Sequence, residues 1–246
     1  MVFDAIRRLF TDRVVGRTVA VADPQPPRAP DPMRSYASML IRENLLLGNA
    51  MAYDRLDPET VRRLPEYRRV ADVAALLRTF RVEGTDFVRL GGDADGAYVM
   101  LDSLRPPSVN AGYSLGIGDE VSWDVAVGER GVELVLLDHT VEGPPRPVPG
   151  GRFVKQGIRG AEPVPGCVTL AEAIAADGYG GRTDLVLKMD VEGAEWAVLD
   201  EVSSGTLDQF VQIVIEFHRL RKVTQPEVHS MVTRCLRKVL ATHVPV

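Results

Sequence analysis

Cysteine is almost missing from this chain: Cys167 and Cys235 are the two in 246 residues, and they form no CxxC pair. A cysteine-built zinc site is therefore excluded, and nothing in the thiol content calls for an oxidising compartment. Lysine is equally scarce, with four beside 25 arginines in a total of 29, a bias that reflects a GC-rich coding sequence more than a function. Excess positive charge is absent as well. The net charge is −5 and the isoelectric point about 5.5, so the chain lacks the basic footprint that tracking a phosphate backbone requires, and a nucleic-acid partner is not expected. No apolar run is long enough to span a bilayer. The opening residues, MVFDAIRRLFTDR, place acid and arginine where a signal peptide would have its apolar core, so a cytoplasmic protein is expected.

What is present is enough to build a core. A hydrophobic share of 45% with 26% charged residues suits one globular α/β domain carrying an N-terminal appendage. Val2 to Val15 has Phe3, Ile6, Leu9 and Phe10 on one helical face and arginines on the other. That amphipathic helix suits packing on the domain, a dimer partner or a membrane surface. Residues 23–32, DPQPPRAPDP, hold five prolines and read as an extended linker. Two helices are expected next, Arg34 to Asp54 and Glu66 to Phe80, covering the substrate side of a sheet. The expected organisation is a helix and linker over 1–32, a helical cap over 33–84 and a Rossmann-like domain over 85–246.

The domain begins with two apolar runs around a Gly/Asp-rich turn, DFVRLGGDADGAYVML from Asp86 to Leu101, a hairpin signal. Asn110 to Gly118, NAGYSLGIG, then reads as a central strand entering a glycine turn, with Asp119 available to cap a helix through Trp123. Gly116 and Gly118 let the backbone approach a ligand closely. Val132 to Asp138, VELVLLD, is a second buried strand. Its terminal acid follows Gly118 by 20 residues, the spacing at which a carboxylate meets ribose hydroxyls. Arg152 to Ile158 is a third strand, and TLAE at Thr169 to Glu172 a capping box that opens a helix ended near Gly178. Thr183 to Val202, TDLVLKMDVEGAEWAVLDEV, supplies a fourth strand, a turn at Glu192-Gly193 and a helix. Val211 to His218, VQIVIEFH, is a fifth strand, followed by a helix opened by Pro226. Alternating strands and helices give a doubly wound parallel sheet, with its ligand crevice between first and fourth strands.

Three strings together resemble one family. LKMDVEGAEW, SLGIGDEVSWD, and the hairpin residues Arg89, Asp95, Gly96 and Tyr98 are similar to the signatures of FkbM-type methyltransferase-like proteins, a branch of the class I S-adenosylmethionine-dependent methyltransferases. Here Ala97 replaces the second glycine of the family's DGGYV element. Ser114 stands where the general methyltransferase pattern has an acid, and Glu120 where it has a third glycine. The resemblance implies S-adenosyl-L-methionine as cofactor, O-methylation of a small molecule such as a sugar or other natural product, and cofactor contacts at Ser114, Gly116, Gly118, Asp138, Asp95 and Tyr98. Class I enzymes usually add a sixth strand and an antiparallel seventh. Only His243 to Val246 remain for them here, so either the sheet is short or the chain is truncated, and an oligomer could form through that edge or the N-terminal helix.

For catalysis, Glu216 and His218 share a face of the fifth strand, and Asp190 ends its expected neighbour. Asp190, His218 and Glu216 are thus the candidate catalytic cluster, with His218 or Asp190 as general base, or all three holding Mg²⁺ that stabilises an alkoxide. The bland alternative pairs Glu216 with Arg219 or Arg221 and leaves His218 to cap a loop. Two rival functions remain, a non-catalytic S-adenosylmethionine-binding module and a nicotinamide-dependent oxidoreductase.

Overall fold

The computed structural model of the protein describes residues 63–80, 82–93 and 96–246. The N-terminal helix, the proline linker and the expected helix Arg34 to Asp54 lie outside the described residues, as does Asp95.

The five long strands have the composition of buried parallel strands, and they form one sheet. β3 (Ala111–Leu115), β4 (Glu133–Leu137), β5 (Gly151–Val154), β8 (Leu185–Met189) and β9 (Phe210–Ile215) lie in the order β5-β4-β3-β8-β9 with every neighbouring pair parallel. Period-two alternation sends the side chains of each central strand to two cores. Tyr113, Leu115, Val135, Leu137, Leu187 and Met189 join one, while Leu134, Leu136 and Val186 join the other. Both faces are covered, which is why β3 and β8 are buried along their whole length.

The first core is roofed by α1 (Pro65–Leu76), α3 (Leu170–Ala176), α4 (Glu195–Glu201) and α6 (Pro226–Leu240), with α5 (Ser204–Leu207) and a 3-10 turn at Leu220–Thr224 beside them. The second is covered by α2 (Ser122–Gly128) and the hairpin of β1 (Phe87–Leu90) and β2 (Tyr98–Leu101). Thr169 and Glu172 form the expected capping box at α3, and Pro226 occupies the first turn of α6.

Three local expectations come out differently. Asp119 does not cap α2: its N-cap is Val121, and the Glu120 carboxylate instead accepts from Ser122 N at 2.5 Å. The expected third strand is divided, because after Val154 the chain leaves the sheet and Gly157–Ile158 (β6) pairs with Cys167–Val168 (β7) in a separate parallel ladder. Finally, α1 packs on α6 and the 3-10 turn, not over the ligand side of the sheet. Among the described residues, no helix is long and apolar enough to cross a membrane.

Candidate active site

Strand order reverses direction between β3 and β8, and the loops leaving their carboxyl ends separate there. A cavity of about 340 Å³ opens at that point, within the range of small-ligand sites. Its walls come from the turn after β3 (Gly116 to Glu120), the end of β4 (Leu137 to Thr140), the β6 residues Gly157 and Ile158, and the β8 loop (Lys188, Asp190 to Glu192), with Gly96 of the hairpin turn at the rim.

The glycine turn is held from two sides. Gly116 N–H donates to the Leu137 carbonyl at 2.9 Å, and Ile117 and Gly118 N–H both donate to Asp138 Oδ2 at 3.0 Å. The other Asp138 oxygen accepts from Thr140 N–H at 2.7 Å and its hydroxyl at 2.6 Å. Burial pushes this carboxyl up, but the bonds from Thr140, Gly118 and Ile117 outweigh that and hold it below the ordinary carboxylate value. Asp138 therefore lines the cavity as expected, with four of its roughly four acceptor positions already filled by the chain. Gly116 and Gly118 also line it. Ser114 is fully buried in β3 beneath the turn and is not part of the cavity wall.

The loop after β8 is built around a buried acid of the VEGAEW string. Glu195 is fully buried at the start of α4; one oxygen accepts from Gly193 N–H at 2.8 Å and the other from His218 N–H at 2.7 Å. One carboxylate thus joins the β8 loop to the segment after β9. Glu192 is held at a φ of 54°, a left-handed conformation that costs a non-glycine residue energy and concentrates at functional loops. The result surrounds the His218 ring with acids. Its Nε2 lies 3.4 Å from Glu192, 3.7 Å from Glu216 and 3.9 Å from Asp190, and its Nδ1 3.5 Å from Glu195. Tyr98 Oη donates to Asp190 Oδ2 at 3.2 Å. The expected cluster of Asp190, Glu216 and His218 is brought together, and Tyr98 reaches it through Asp190. Glu192, at the carboxyl end of β8, joins it through a left-handed turn whose conformation no spacing rule reveals. Asp190, Glu192 and His218 each offer one ligand atom, all within 4.8 Å of one another.

A five-stranded parallel sheet in this order, with a glycine turn pinned to a strand-end acid at its switch point, defines a doubly wound, Rossmann-like α/β fold. The family model of the methyltransferase FkbM domain matches residues 102–238, and the chain belongs to that family. Its domain is accordingly that of a methyltransferase. Comparison with curated proteins and with solved structures gives no match. The matched span starts immediately after β2, so the hairpin lies outside it.

Proposed function

We propose that this protein transfers the methyl group of S-adenosyl-L-methionine to a hydroxyl of a small molecule, such as a sugar or other natural product. The observation that supports this reading is one cavity lined by both Asp138 and Asp190, the latter 3.9 Å from His218 Nε2. A nucleoside suits the part beside Asp138. Its ribose diol would share Asp138 Oδ1 with Thr140, whose hydroxyl can turn to accept from the ligand. Bound there, the sulfonium supplies an activated methyl carbon. His218 Nε2 takes the acceptor's proton as the oxygen attacks, and the acids around the ring stabilise the positive charge it gains. Glu195 fixes the backbone that carries the ring.

A second reading is favoured by the grouping of Asp190, Glu192 and His218, which suits one divalent cation with waters completing its shell. It exchanges Glu216 of the sequence reading for Glu192. Two carboxylates and one imidazole fit a hard or borderline ion, which would stabilise an alkoxide in place of a free base.

A thermal-shift panel tests the proposal. S-adenosylmethionine and S-adenosylhomocysteine are expected to stabilise the chain, by about 2.7 kcal/mol at 100 times their dissociation constant, and NAD to have no effect. Stabilisation by NAD alone would turn the reading toward an oxidoreductase. Binding without methyl transfer to any of a panel of hydroxylated acceptors marks a non-catalytic module. Where transfer is seen, exhaustive chelation separates the two mechanisms: a rate that survives it eliminates the cation.

A further inference from the structure

Lys188 is one of four lysines in the chain and stands inside the apolar strand β8, 3% exposed. Removing an ammonium from water to such a place is costly unless charge and hydrogen bonds compensate. Its Nζ donates to the Gly116 carbonyl at 2.8 Å and lies 5.9 Å from the centre of the Tyr98 ring. Among the described residues, no carboxylate oxygen lies within the 4.0 Å of an ion pair. An ammonium has three protons, and one is used.

Beneath the same glycine turn sits an acid with the complementary deficiency. Asp124 on α2 is fully buried, and neither of its oxygens has a hydrogen-bond partner; the Ser114 hydroxyl is in the same position. Burial pushes the Asp124 carboxyl up, with the nearby Lys188 charge and the Ser114 hydroxyl pulling it back, although no hydrogen bond of good geometry joins Ser114 and Asp124. Lys188 makes no ion pair with Asp124, and its ammonium lines the cavity with two protons unassigned.

The cavity lining holds one lysine, Lys188, together with the acids Glu120 and Asp190; bonds from Ser122, and in smaller part the Lys188 charge, lower the Glu120 carboxyl below its ordinary value. An amino acid presents one carboxylate and one ammonium, and a cation grouped with acids complements that pair.

Building on the cofactor reading above, we propose that Lys188 receives the α-carboxylate of the methionine portion of S-adenosylmethionine. Glu120 and Asp190 face the α-ammonium.

Calorimetry with three ligands on the full chain tests this: S-adenosylhomocysteine, its α-carboxamide, and 5′-methylthioadenosine, which lacks the amino-acid portion. The wild type is expected to bind S-adenosylhomocysteine at least about tenfold more tightly than the other two, the value of one charge-assisted contact. In Lys188→Met that preference disappears while the affinity for 5′-methylthioadenosine is unchanged. A Lys188 that merely holds the glycine turn predicts the opposite pattern, with all three affinities falling together, and that result overturns the proposal. So does a wild type that accepts the carboxamide as well as the acid, a comparison that needs no variant should Lys188→Met leave Asp124 too costly to bury. Failure of all three ligands to bind the wild type removes the cofactor reading itself, an outcome distinct from binding without preference.

Discussion

A Cβ at Gly116 would lie 1.8 Å from the Asp190 carbonyl oxygen, whereas one at Gly118 would meet nothing within 4 Å. Both residues have positive φ, 75° and 50°, so both are strained by any side chain. Only Gly116 is also barred by backbone across the β3–β8 junction. From the sequence the two glycines read alike, as a turn that a ligand approaches, because a one-letter pattern does not show which neighbour stands over each. The structure gives them different work. Gly116→Ala is expected to prevent stable folding. Gly118→Ala is expected to fold with a loss of about 1–2 kcal/mol, the cost of the left-handed conformation, and to weaken S-adenosylhomocysteine by placing a methyl group at the cavity wall. Circular-dichroism melts paired with calorimetry check both, and a Gly118→Ala protein with undiminished affinity would move the ligand away from this turn. Asp138 carries the same lesson. Its strand-end spacing was legible, but its occupation by Thr140 was not, since that bond depends on how the chain turns after β4.

The long strands were legible at the scale of elements, because strands buried on both faces read as apolar runs, and so was α3, because its capping box is a local code. What the sequence concealed were features decided by tertiary competition: the break after Val154, where β6 leaves the sheet to pair with β7, and the N-terminus of α2, where Glu120 took the place expected of Asp119. The entry to β8 offers a measurable case of such tertiary ties. Asp184 accepts a two-pronged contact from Arg182, at 2.7 and 2.6 Å, and a third bond from Asn110 Nδ2 at 2.7 Å, which fastens the approach to β8 onto the start of β3. The Arg182 guanidinium holds the Asp184 carboxyl down at about 2, against the opposing effect of burial. A carboxyl depressed in the folded state contributes stability that is complete above its ordinary value near 4 and is lost as pH falls toward 2. The side chain is 27% exposed, so solvent screening reduces the worth of the contact to about 1 kcal/mol. Asp184→Asn is therefore expected to lower stability by that amount at neutral pH, with the gap to wild type closing between pH 4 and pH 2. Urea titrations at both ends of that range measure it; a gap that persists at pH 2 would assign the effect to shape instead of charge.

Across the whole molecule, the hairpin is the part that joins the second core to the mouth of the cavity. Its strands pack on the second core, its Tyr98 reaches Asp190, and Gly96 in its turn forms part of the rim. Ties at both of its ends help to hold it there. At the turn, Gly92 N–H donates to Ser122 Oγ at 2.8 Å, and the Ser122 hydroxyl donates to the Gly96 carbonyl at 3.3 Å. At the far end Gln212, on edge strand β9 and 8% exposed, behaves like a missing strand: its Oε1 accepts from Leu101 N–H at 2.9 Å, while its Nε2 donates to the Leu101 carbonyl and the Ser103 hydroxyl, each at 3.1 Å. Gln212→Ala leaves both Leu101 backbone groups without these partners, a loss of about 1–3 kcal/mol. The strand register of β8 and β9 does not depend on that side chain, so the damage should be confined to the hairpin. Hydrogen exchange is expected to show a faster Leu101 amide with β3, β4 and β8 protection unchanged, and ligand affinity should fall because Gly96 and Tyr98 are carried by the loosened element. A variant whose hairpin exchanges faster but binds as tightly as wild type would separate the rim from recognition and confine the ligand to the glycine turn, the end of β4 and the β8 loop.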